Sequence, residues 1–447
     1  MPKAKVNFPD VTLDQLKAMM ATHGVTRLLI KELARNDNSK NQPYVAKDEY
    51  SAFNILPVGD ITTGMSEEGN AIIKATVPFF WIQPDATLAP APHAKLIFYP
   101  QYPEMRLSGF LKDTAKAPNE LMNTRLPGRI LFLGITKDNR IAAWATGPES
   151  ALARGYHALG LLEQLGVFRI TPVAASGNRT SKDLLLAELR RIHMLGWIDS
   201  KALKSDGSLV ACNAPQCVGY TLEAEMGVAR NGRSEPDYLG WEVKASEVTS
   251  FAKPPPAKAI TLMTPEPTSG FYRDEGVEAF IRRYGYADKL GRADRLNFGG
   301  VHRVGQQHAG TGLTLLLNGF DAIAGKITNA DGSLALVDDA GIAVAEWSFA
   351  HLMGIWNRKH AQAVYVPAMV SQSNGRQYSY GGSVRLAEGT DFTRLIKAVS
   401  VGAVFYDPGI KLEGASTDKP RTKRRSQFRV KSADLPVLYT TITATAV

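Results

Sequence analysis

The sequence predicts a mixed α/β protein, with a mostly β N-terminal part and an α/β C-terminal part. In residues 1–170, short runs of β-branched and aromatic residues alternate with turn-forming segments, which is typical of strands. In residues 181–447, stretches with an apolar stripe at helical spacing alternate with strand-like runs. We expect two domains, at residues 1–170 and 181–447, joined by a small and polar linker at 171–180.

The N-terminal part contains several predicted strands and one closing helix. The strands are expected at residues 26–33, 71–80, 95–99, 129–135 and 141–146. Residues 136–140 suit a hairpin turn between the last two strands. Residues 149–165 are expected to form a helix, whose apolar face is Leu152, Tyr156, Leu159 and Leu162.

The C-terminal part begins with two predicted helices and two predicted strands. The first helix, at 181–195, would bury Leu185, Leu189 and Ile192. The second, at 216–227, has an apolar stripe of Val218, Leu222 and Met226 and ends at Gly227. A strand at 259–264 is expected to pair beside residues 241–245.

One motif between these elements carries chemistry. Glu242 and Lys244 would share one face of a strand, while Val243 packs on the other face. Asp237, across a short turn, could then meet Glu242 around a divalent ion. Two carboxylates and the backbone carbonyl of Val243 offer the oxygen ligands that Mg²⁺ prefers, and Lys244 could orient an attacking water. This spacing is that of the PD-(D/E)xK nucleases, although an exposed edge strand with alternating charges gives the same pattern.

The charge of the chain suits a polyanion such as double-stranded DNA. The formal net charge is +9 and the isoelectric point is about 9.3. Between residues 411 and 431 basic residues are concentrated, flanked by strand-like segments at 403–406 and 427–430. Arginines there could pair with guanine edges and lysines with phosphates, whereas a solvated loop is the alternative. The candidate DNA contacts are Arg421, Lys423, Arg424, Arg425, Gln427 and Arg429.

A family resemblance extends from these residues over about residues 181–447. The segments LAELRRIHMLGWIDSKALKSDG, VGYTLEAEMGV, EPDYLGWEVKA, KAITLMTPEPTSG, EAFIRRYGY, VGAVFYDPGIKLEG and KRRSQFRV, in this order, resemble the MvaI/BcnI restriction endonucleases. The resemblance implies a PD-(D/E)xK restriction-endonuclease-like domain with Asp237, Glu242 and Lys244 as catalytic triplet. Glu223 matches the helix acid that precedes it. The histidine-bearing recognition loop of the family is here replaced by residues 421–427.

The resemblance also implies a function. It implies a Mg²⁺-dependent type II restriction endonuclease that cuts double-stranded DNA at a short pseudopalindrome of the CC-N-GG type, with CCWGG expected. It implies a monomer that cuts the strands in turn, although one motif per chain would equally fit a dimer. A cognate DNA methyltransferase is expected in the same system. Two alternatives remain, a strand-nicking endonuclease of the mismatch-repair type and a non-catalytic DNA-binding regulator.

The N-terminal part carries a shorter resemblance. The segment IKELARNDNSKNQPY and the β-rich pattern are similar to the effector domain of EcoRII, a B3-like pseudobarrel that binds DNA. This implies type IIE behaviour, with two copies of the target site bound, whereas an unrelated β scaffold is the alternative. A loop whose side chains bond their own backbone would also explain the polar cluster. The candidate contacts are Arg35, Asn36, Asn38, Lys40, Asn41, Gln42, Arg106 and Lys112.

The remaining residues point to few other functions. Cys212 and Cys217 have no second cysteine pair that would complete a zinc site. We therefore expect free thiols and a reduced cytoplasmic compartment of a bacterial or archaeal cell. No long apolar run suggests a membrane segment. His302 and His308 lie in a Gly- and Gln-rich stretch that is expected to be an ordinary loop, with DNA contact as the alternative.

Overall fold

The structure is a computed structural model that forms two compact units, Met1–Lys182 and Asp183–Val447. We refer to them as the N-terminal and the C-terminal unit. The residues that the structure describes are 9–35, 42–46, 55–66, 68–99, 104–114, 116–124, 126–136, 138–173, 181–229, 237–252, 259–359, 362–373 and 375–447.

The N-terminal unit is mostly β, as the sequence predicts. Its described helices are α1 Leu13–Ala21, α2 Asn119–Asn123 and α3 Ala151–His157. Its described strands are β1 Arg27–Leu33, β2 Tyr44–Ala46, β3 Ile61–Met65, β4 Ala71–Thr76, β5 Phe79–Ile82, β6 Leu88–Pro90, β7 Lys95–Tyr99, β8 Glu104–Ser108, β9 Arg129–Ile135, β10 Ile141–Thr146, β11 Glu163–Leu165 and β12 Phe168–Pro172. They form a seven-stranded sheet of order β11-β12-β1-β9-β10-β5-β6 and a five-stranded sheet of order β2-β8-β7-β4-β3.

The hairpin of β9 and β10 forms the middle of the larger sheet. The two strands are antiparallel, and Ile135 pairs with Ile141. Their turn closes through a 2.9 Å hydrogen bond from the Thr136 amide to the Arg140 carbonyl. Nearly every residue of both strands is buried. On one face, helices α1 and α3 pack against Ile130, Phe132 and Trp144. The hairpin predicted from the sequence is therefore confirmed.

Three sequence expectations for this unit are wrong in detail. The strand expected at 71–80 is two strands, β4 and β5. The helix expected at 149–165 ends at His157. Gly160 follows with a positive φ of 71°, which ends the helical path, and residues 163–165 form strand β11 instead. Leu152 and Tyr156 are buried as predicted, whereas Leu159 is exposed. The linker expected at 171–180 begins later, because residues 171 and 172 pair with β1.

The C-terminal unit alternates helices with many short sheets. Its described helices are α4 Ser181–Met194, α5 Cys217–Glu225, α6 Phe271–Asp274, α7 Gly276–Tyr284, α8 Phe349–Lys359, α9 Phe392–Ser400 and a 3₁₀ turn at Leu435–Leu438. Its described strands are β13 Trp197–Asp199, β14 Lys201–Leu203, β15 Leu209–Ala211, β16 Glu242–Glu247, β17 Ala259–Met263, β18 Tyr286–Ala287, β19 Arg295–Gly299, β20 Thr314–Asn318, β21 Phe320–Asp321, β22 Lys326–Ile327, β23 Ser333–Val337, β24 Ala343–Ser348, β25 Gln362–Ser371, β26 Gln377–Tyr380, β27 Ser383–Glu388, β28 Val404–Tyr406, β29 Gly409–Glu413, β30 Arg421–Lys423, β31 Phe428–Lys431 and β32 Thr441–Ala446.

The central sheet of this unit is built around β25. Strand β16 runs parallel along one edge of β25, with Glu242 opposite Ala363 and Lys244 opposite Tyr365. Strands β26 and β27 pair antiparallel along the other edge. Helices α4 and α5 cover one face, where the predicted residues Leu185, Leu189 and Ile192 join Val218 and Leu222 in one core cluster. The two predicted helices are therefore confirmed.

Strand β17 does not lie beside the motif strand, which corrects the expected pairing. It pairs antiparallel with β31 in a three-stranded sheet of order β17-β31-β28. Strand β16 belongs instead to the sheet of β25. The order of helices and strands along the chain could not reveal this, because β17 and β31 are far apart in sequence.

The two cysteines also depart from expectation, because Cys212 and Cys217 form a disulfide rather than free thiols. The bond closes the turn that precedes α5, and Cys217 is fully buried. Among the described residues, no helix combines the length and apolarity that crossing a membrane requires.

Of the two histidines in the Gly- and Gln-rich stretch, His302 is buried in the core and His308 is half-buried. His302 is fully buried, and its ring centroid lies 4.3 Å from that of His308. Its Nδ1 lies 2.9 Å from the Gly300 carbonyl, and its Nε2 lies 2.9 Å from the Thr311 hydroxyl. A neutral ring that donates from Nδ1 and accepts at Nε2 satisfies both partners. Burial, and next the charge of His308, lower the pKa of His302 to about 4.

Acid should therefore destabilise the fold through His302. The unfolded chain binds this proton near pH 6.5 but the folded chain only near pH 4, so stability is lost as the pH falls through that range. We expect His302 to contribute a loss of about 2 kcal/mol between pH 7.5 and pH 5. Urea unfolding at both pH values should show a smaller pH dependence for His302→Gln than for the parent. The exposed control His157→Gln should keep the parent's dependence, and an unchanged dependence in His302→Gln would contradict the assignment.

Candidate active site and nucleic-acid interface

A tight turn brings the first acid of the motif back to the strand. The Tyr238 amide donates to the Trp241 carbonyl at 3.0 Å, and the Trp241 amide donates to the Tyr238 carbonyl at 2.8 Å. The two central residues, Leu239 and Gly240, have positive φ angles of 49° and 87°, as a type I′ hairpin turn requires. Asp237 thereby returns to the start of β16. Residues 234–236 of the motif lie outside the described residues.

Asp237, Glu242 and Lys244 converge around the backbone of Val243. The Asp237 carboxylate accepts a 2.9 Å hydrogen bond from the Val243 amide. Glu242 is almost fully buried, at 1% exposure, and its Oε1 forms an ion pair with the Lys244 ammonium. Val243 itself is buried on the opposite face, packed with Trp241 in the core of the unit. The shared face of Glu242 and Lys244 is as the sequence predicts.

The electrostatics of the site keep Lys244 charged. Burial favours the neutral amine, but the charges of Glu242 and Asp237 outweigh burial and raise the pKa of Lys244 above its ordinary value. Lys244 is therefore an ammonium at neutral pH, and it donates hydrogen bonds rather than accepting a proton.

Helix α5 carries the fourth predicted residue, Glu223. The helix packs against β16, and its residues Val218 and Leu222 share a core cluster with Trp241 and Val243. Glu223 is half-buried on this helix. Glu225, two residues further along the helix, forms an ion pair with the Lys201 ammonium at 2.5 Å.

Sequence reasoning missed two tyrosines behind the triplet. Tyr365 of β25 lies directly opposite Lys244 in the parallel register and is 4% exposed. Its hydroxyl lies 3.0 Å from the buried Tyr439 hydroxyl. Burial raises the pKa of both phenols, so they stay neutral beside the charged pair. The apolar run of residues 362–371 is typical of a buried strand, but no sequence signal links that strand to the motif.

The oxygens of the site suit a hard divalent cation. Among the described residues, no group of three or more His, Cys, Asp or Glu side chains is arranged for a metal. The donor set expected here is different, since it combines the Asp237 and Glu242 carboxylates with the Val243 carbonyl. An all-oxygen set with two negative charges fits Mg²⁺ better than a soft metal.

The basic segment is a sheet edge and loop rather than a simple hairpin between β28 and β31. Strands β29 and β30 pair with each other, and β29 also pairs with β19. Arg421, Lys423, Arg424 and Arg425 are exposed, although Lys423 also forms an ion pair with Glu413 at 3.3 Å. These four side chains are therefore accessible to DNA.

Two predicted contacts of this segment are engaged inside the protein. Arg429 donates to the Asp407 carboxylate at 2.6 Å and to the Ala259 carbonyl at 2.7 Å. Gln427 accepts a 3.1 Å hydrogen bond from the Thr261 hydroxyl. Both side chains connect β31, or the residue before it, to β17. They therefore have a structural role within the protein.

The structure adds cations that the sequence did not single out. Burial lowers the pKa of Lys411, and the charges of Arg295, Arg292, Arg425 and Lys423 lower it further. Several cations therefore gather on strands β19, β29 and β30, although Asp288 neutralises part of the Arg295 charge at 3.4 Å. The sequence does show a second basic run, GRADR at residues 291–295, which contains Arg292 and Arg295. This run lies more than 100 residues upstream of Lys411, so sequence spacing could not associate the two.

The predicted contacts of the N-terminal unit differ in accessibility. Arg35 and Lys112 are exposed. Gln42 is buried at 8% exposure and donates to the Ser108 hydroxyl at 2.9 Å, so the expectation of an accessible contact is wrong there. Arg106 forms an ion pair with Glu104, and its guanidinium lies over the Tyr44 and Tyr99 rings. The other four candidates lie outside the described residues, namely Asn36, Asn38, Lys40 and Asn41.

The C-terminal unit is mixed α/β, and Asp237, Glu242 and Lys244 lie together beside its buried strand β25. The profile of the MvaI/BcnI restriction endonuclease family matches residues 186–439, more than half of the chain. The chain belongs to the MvaI/BcnI restriction endonuclease family. It is accordingly a site-specific nuclease and a DNA-binding hydrolase, and enzymes of this kind generally use a divalent metal.

Two solved structures are similar over 60% of this chain. A complex of the restriction endonuclease MvaI with cognate DNA is 18% identical, with a TM-score of 0.45, and 98% of that chain is covered. MvaI in the absence of DNA is 17% identical, with a TM-score of 0.32 and 99% of that chain covered. No curated protein matches the sequence significantly.

Proposed function

We propose that this protein is a Mg²⁺-dependent type II restriction endonuclease with Asp237, Glu242 and Lys244 as its catalytic residues. One observation carries the proposal: a tight turn and a buried strand bring two carboxylates and an ammonium together around the Val243 backbone. Such a cluster of charge, partly screened from water, suits the hydrolysis of a phosphodiester.

Each residue has a defined role in this proposal. Asp237 and Glu242 would hold Mg²⁺ together with the backbone carbonyl of Val243. When bound, the metal supplies positive charge that stabilises the phosphate oxygens. Lys244, as an ammonium, donates hydrogen bonds that orient the attacking water and the scissile phosphate. Glu223 supports the site from α5, which packs against β16.

The reaction proceeds by attack of water on phosphorus. A bond forms between the water oxygen and phosphorus, and the bond from phosphorus to the 3′ oxygen breaks. The water loses a proton to solvent, and the leaving 3′ oxygen gains one. The products are 5′-phosphate and 3′-hydroxyl ends. Lys244 keeps its proton throughout, as its raised pKa favours.

The target is a short pseudopalindrome of the CC-N-GG type, with CCWGG as the form that the family suggests. Guanine edges offer two acceptors to an arginine, and the exposed Arg424 and Arg425 are the candidates to read them. Arg421, Lys423 and Lys411 would contact phosphates, which position the protein without reading sequence.

The N-terminal unit is proposed to be a B3-like effector domain that binds a second copy of the target. It is mostly β and has a core of its own, and its exposed Arg35 and Lys112 are available for DNA. The enzyme would then be of type IIE. We further propose that it acts as a monomer that cuts the strands in turn, beside a cognate DNA methyltransferase. Its proposed cytoplasmic location rests on its DNA substrate and not on its cysteines, which form a disulfide.

Digestion of phage DNA with the purified protein, with and without Mg²⁺, tests this function. We expect discrete fragments in Mg²⁺ whose sequenced ends share one short motif, and intact DNA in EDTA. Random single-strand nicks would instead favour a repair nuclease. Binding without any cleavage would favour a DNA-binding regulator.

The same digestion assay can test whether the enzyme needs two copies of its recognition motif. Plasmids that carry one or two copies of the motif should differ in rate, and an added duplex bearing the motif should stimulate cleavage of the one-site plasmid. Equal rates on both plasmids, without stimulation in trans, would remove the effector role while leaving the endonuclease in place.

A further inference from the structure

A small cavity beside the basic segment is lined by one carboxylate and two guanidinium groups. The cavity has a volume of about 120 Å³ and is lined by Glu266, Tyr272, Arg273, Arg424 and three smaller residues. Glu266 is half-buried and Arg424 is exposed. An acceptor and a donor therefore face one shared space next to the proposed DNA-binding surface.

Glu266 is held in place from inside the protein. Its Oε2 accepts a 2.5 Å hydrogen bond from the Tyr272 hydroxyl. Tyr272 is only 5% exposed, and its ring packs edge-on against Phe280 at 5.1 Å between centroids. A carboxylate that is fixed at one oxygen still has acceptor capacity at the other.

The segment that carries Glu266 is fixed at both ends. On one side, the Pro265 carbonyl accepts from the Trp347 indole at 3.0 Å and from the Ser426 hydroxyl at 2.5 Å. On the other side, the Ser269 hydroxyl donates to the Glu346 carboxylate at 2.8 Å. The segment from 265 to 269 is thus anchored to the core without using the Glu266 side chain.

The same hydrogen bonds determine where the Glu266 segment lies relative to the loop that carries Arg424. Ser426 is fully buried, and its bond to the Pro265 carbonyl ties the basic loop to the Glu266 segment. Arg424 lies two residues before Ser426, and Glu266 lies one residue after Pro265. The backbone positions of Glu266 and Arg424 are therefore fixed relative to each other, which favours base reading by the pair.

We propose that Glu266 and Arg424 together read one G·C base pair of the target. Cytosine presents its N4 amino group as a donor in the major groove, and a carboxylate can accept from it. Guanine presents O6 and N7 as two acceptors, and an arginine can donate to both. The inference rests on the proposed function and adds Glu266, which no basic or catalytic motif includes, as a specificity-determining residue.

The test compares base-pair preferences of Glu266→Gln and the parent. Each enzyme cuts a set of duplexes in which one base pair of the parent's site is changed at a time, in Mg²⁺. We expect Glu266→Gln to lose about 10- to 100-fold of its discrimination at one G·C position and its symmetry mate, and little elsewhere. Arg424→Ala should relax discrimination at the same position.

Two control variants separate reading from folding. Glu278→Gln removes a carboxylate on α7 that pairs with Arg282 outside the cavity, and it should keep the parent's preferences. Tyr272→Phe removes the hydrogen bond to Glu266. If Glu266 only supports the fold, both Glu266→Gln and Tyr272→Phe should lower the melting temperature while base preference stays unchanged.

The outcomes also separate this inference from the proposed function. Specific cleavage by the parent with unchanged preferences in Glu266→Gln overturns the inference and leaves the proposed function standing. A parent that makes no specific cuts overturns both. Relaxed preference at one G·C position, shared with Arg424→Ala, supports the pair as a reading unit.

Discussion

Lys244→Met is expected to slow DNA cleavage by on the order of 100- to 1,000-fold, while site-specific binding stays largely intact. Methionine fills similar space but lacks the ammonium that would orient water and phosphate. It also leaves Glu242, at 1% exposure, without its ion-pair partner. Single-turnover cleavage in Mg²⁺ measures the first effect, and binding of labelled duplex in Ca²⁺ measures the second.

The matched control for this experiment is Lys201→Met. Lys201 also forms an ion pair with a glutamate of the same unit, Glu225, at 2.5 Å, and neither residue belongs to the triplet. Its variant should cleave at nearly the parent rate. Cleavage by Lys244→Met at near the parent rate would refute the role of Lys244. Parallel loss of binding and cleavage would point to damage of the fold instead.

Trp347→Ala is expected to lower the free energy of unfolding by about 3–5 kcal/mol. The Trp347 ring is fully buried against Tyr406 and Phe428, with centroids 4.8 Å and 5.4 Å away. Its loss would leave a cavity and remove the hydrogen bond to the Pro265 carbonyl. Because that bond anchors the Glu266 segment, base discrimination should also fall. Urea unfolding gives the stability, and the single-change duplexes give the discrimination.

Two further variants test the reasoning behind Trp347. Trp347→Phe keeps most of the packing but not the hydrogen bond, so it should cost about 1 kcal/mol. Trp197→Ala removes an indole that is 47% exposed on β13, and it should cost clearly less stability than Trp347→Ala. A stability loss in Trp347→Ala no larger than that of Trp197→Ala would contradict this assignment of the core.

Local patterns in the sequence were sufficient to predict the local structure of the site. Alternation predicts that Glu242 and Lys244 share a face, because successive side chains of a strand point to opposite sides. Helical spacing predicts α4 and α5 and their buried residues. The turn of Leu239 and Gly240 returns Asp237 to the strand as the motif spacing requires.

Long-range pairing was beyond sequence patterns. The partner of β17 is β31, and the partner of β16 is β25, each more than 100 residues away. No periodicity encodes such a choice, since it depends on how whole faces pack. For the same reason, the sequence could not show that Gln42 and Arg429 are engaged in internal hydrogen bonds. Charge and polarity alone do not distinguish an exposed contact from a structural one.

The parallel pairing of β16 with β25 has a consequence for synthesis of the enzyme. Residues 242–247 gain their sheet neighbour only when residues 363–368 have been made. A ribosome-bound chain that ends before this point carries the complete triplet in its sequence, but without the strand that orders it. Closing so long a loop is slow, because the chain loses conformational entropy before the stabilising contacts between β16 and β25 form. The paired arrangement of β16, and with it the ordered placement of Glu242 and Lys244 on the sheet, can therefore form only after residues 363–368 are available.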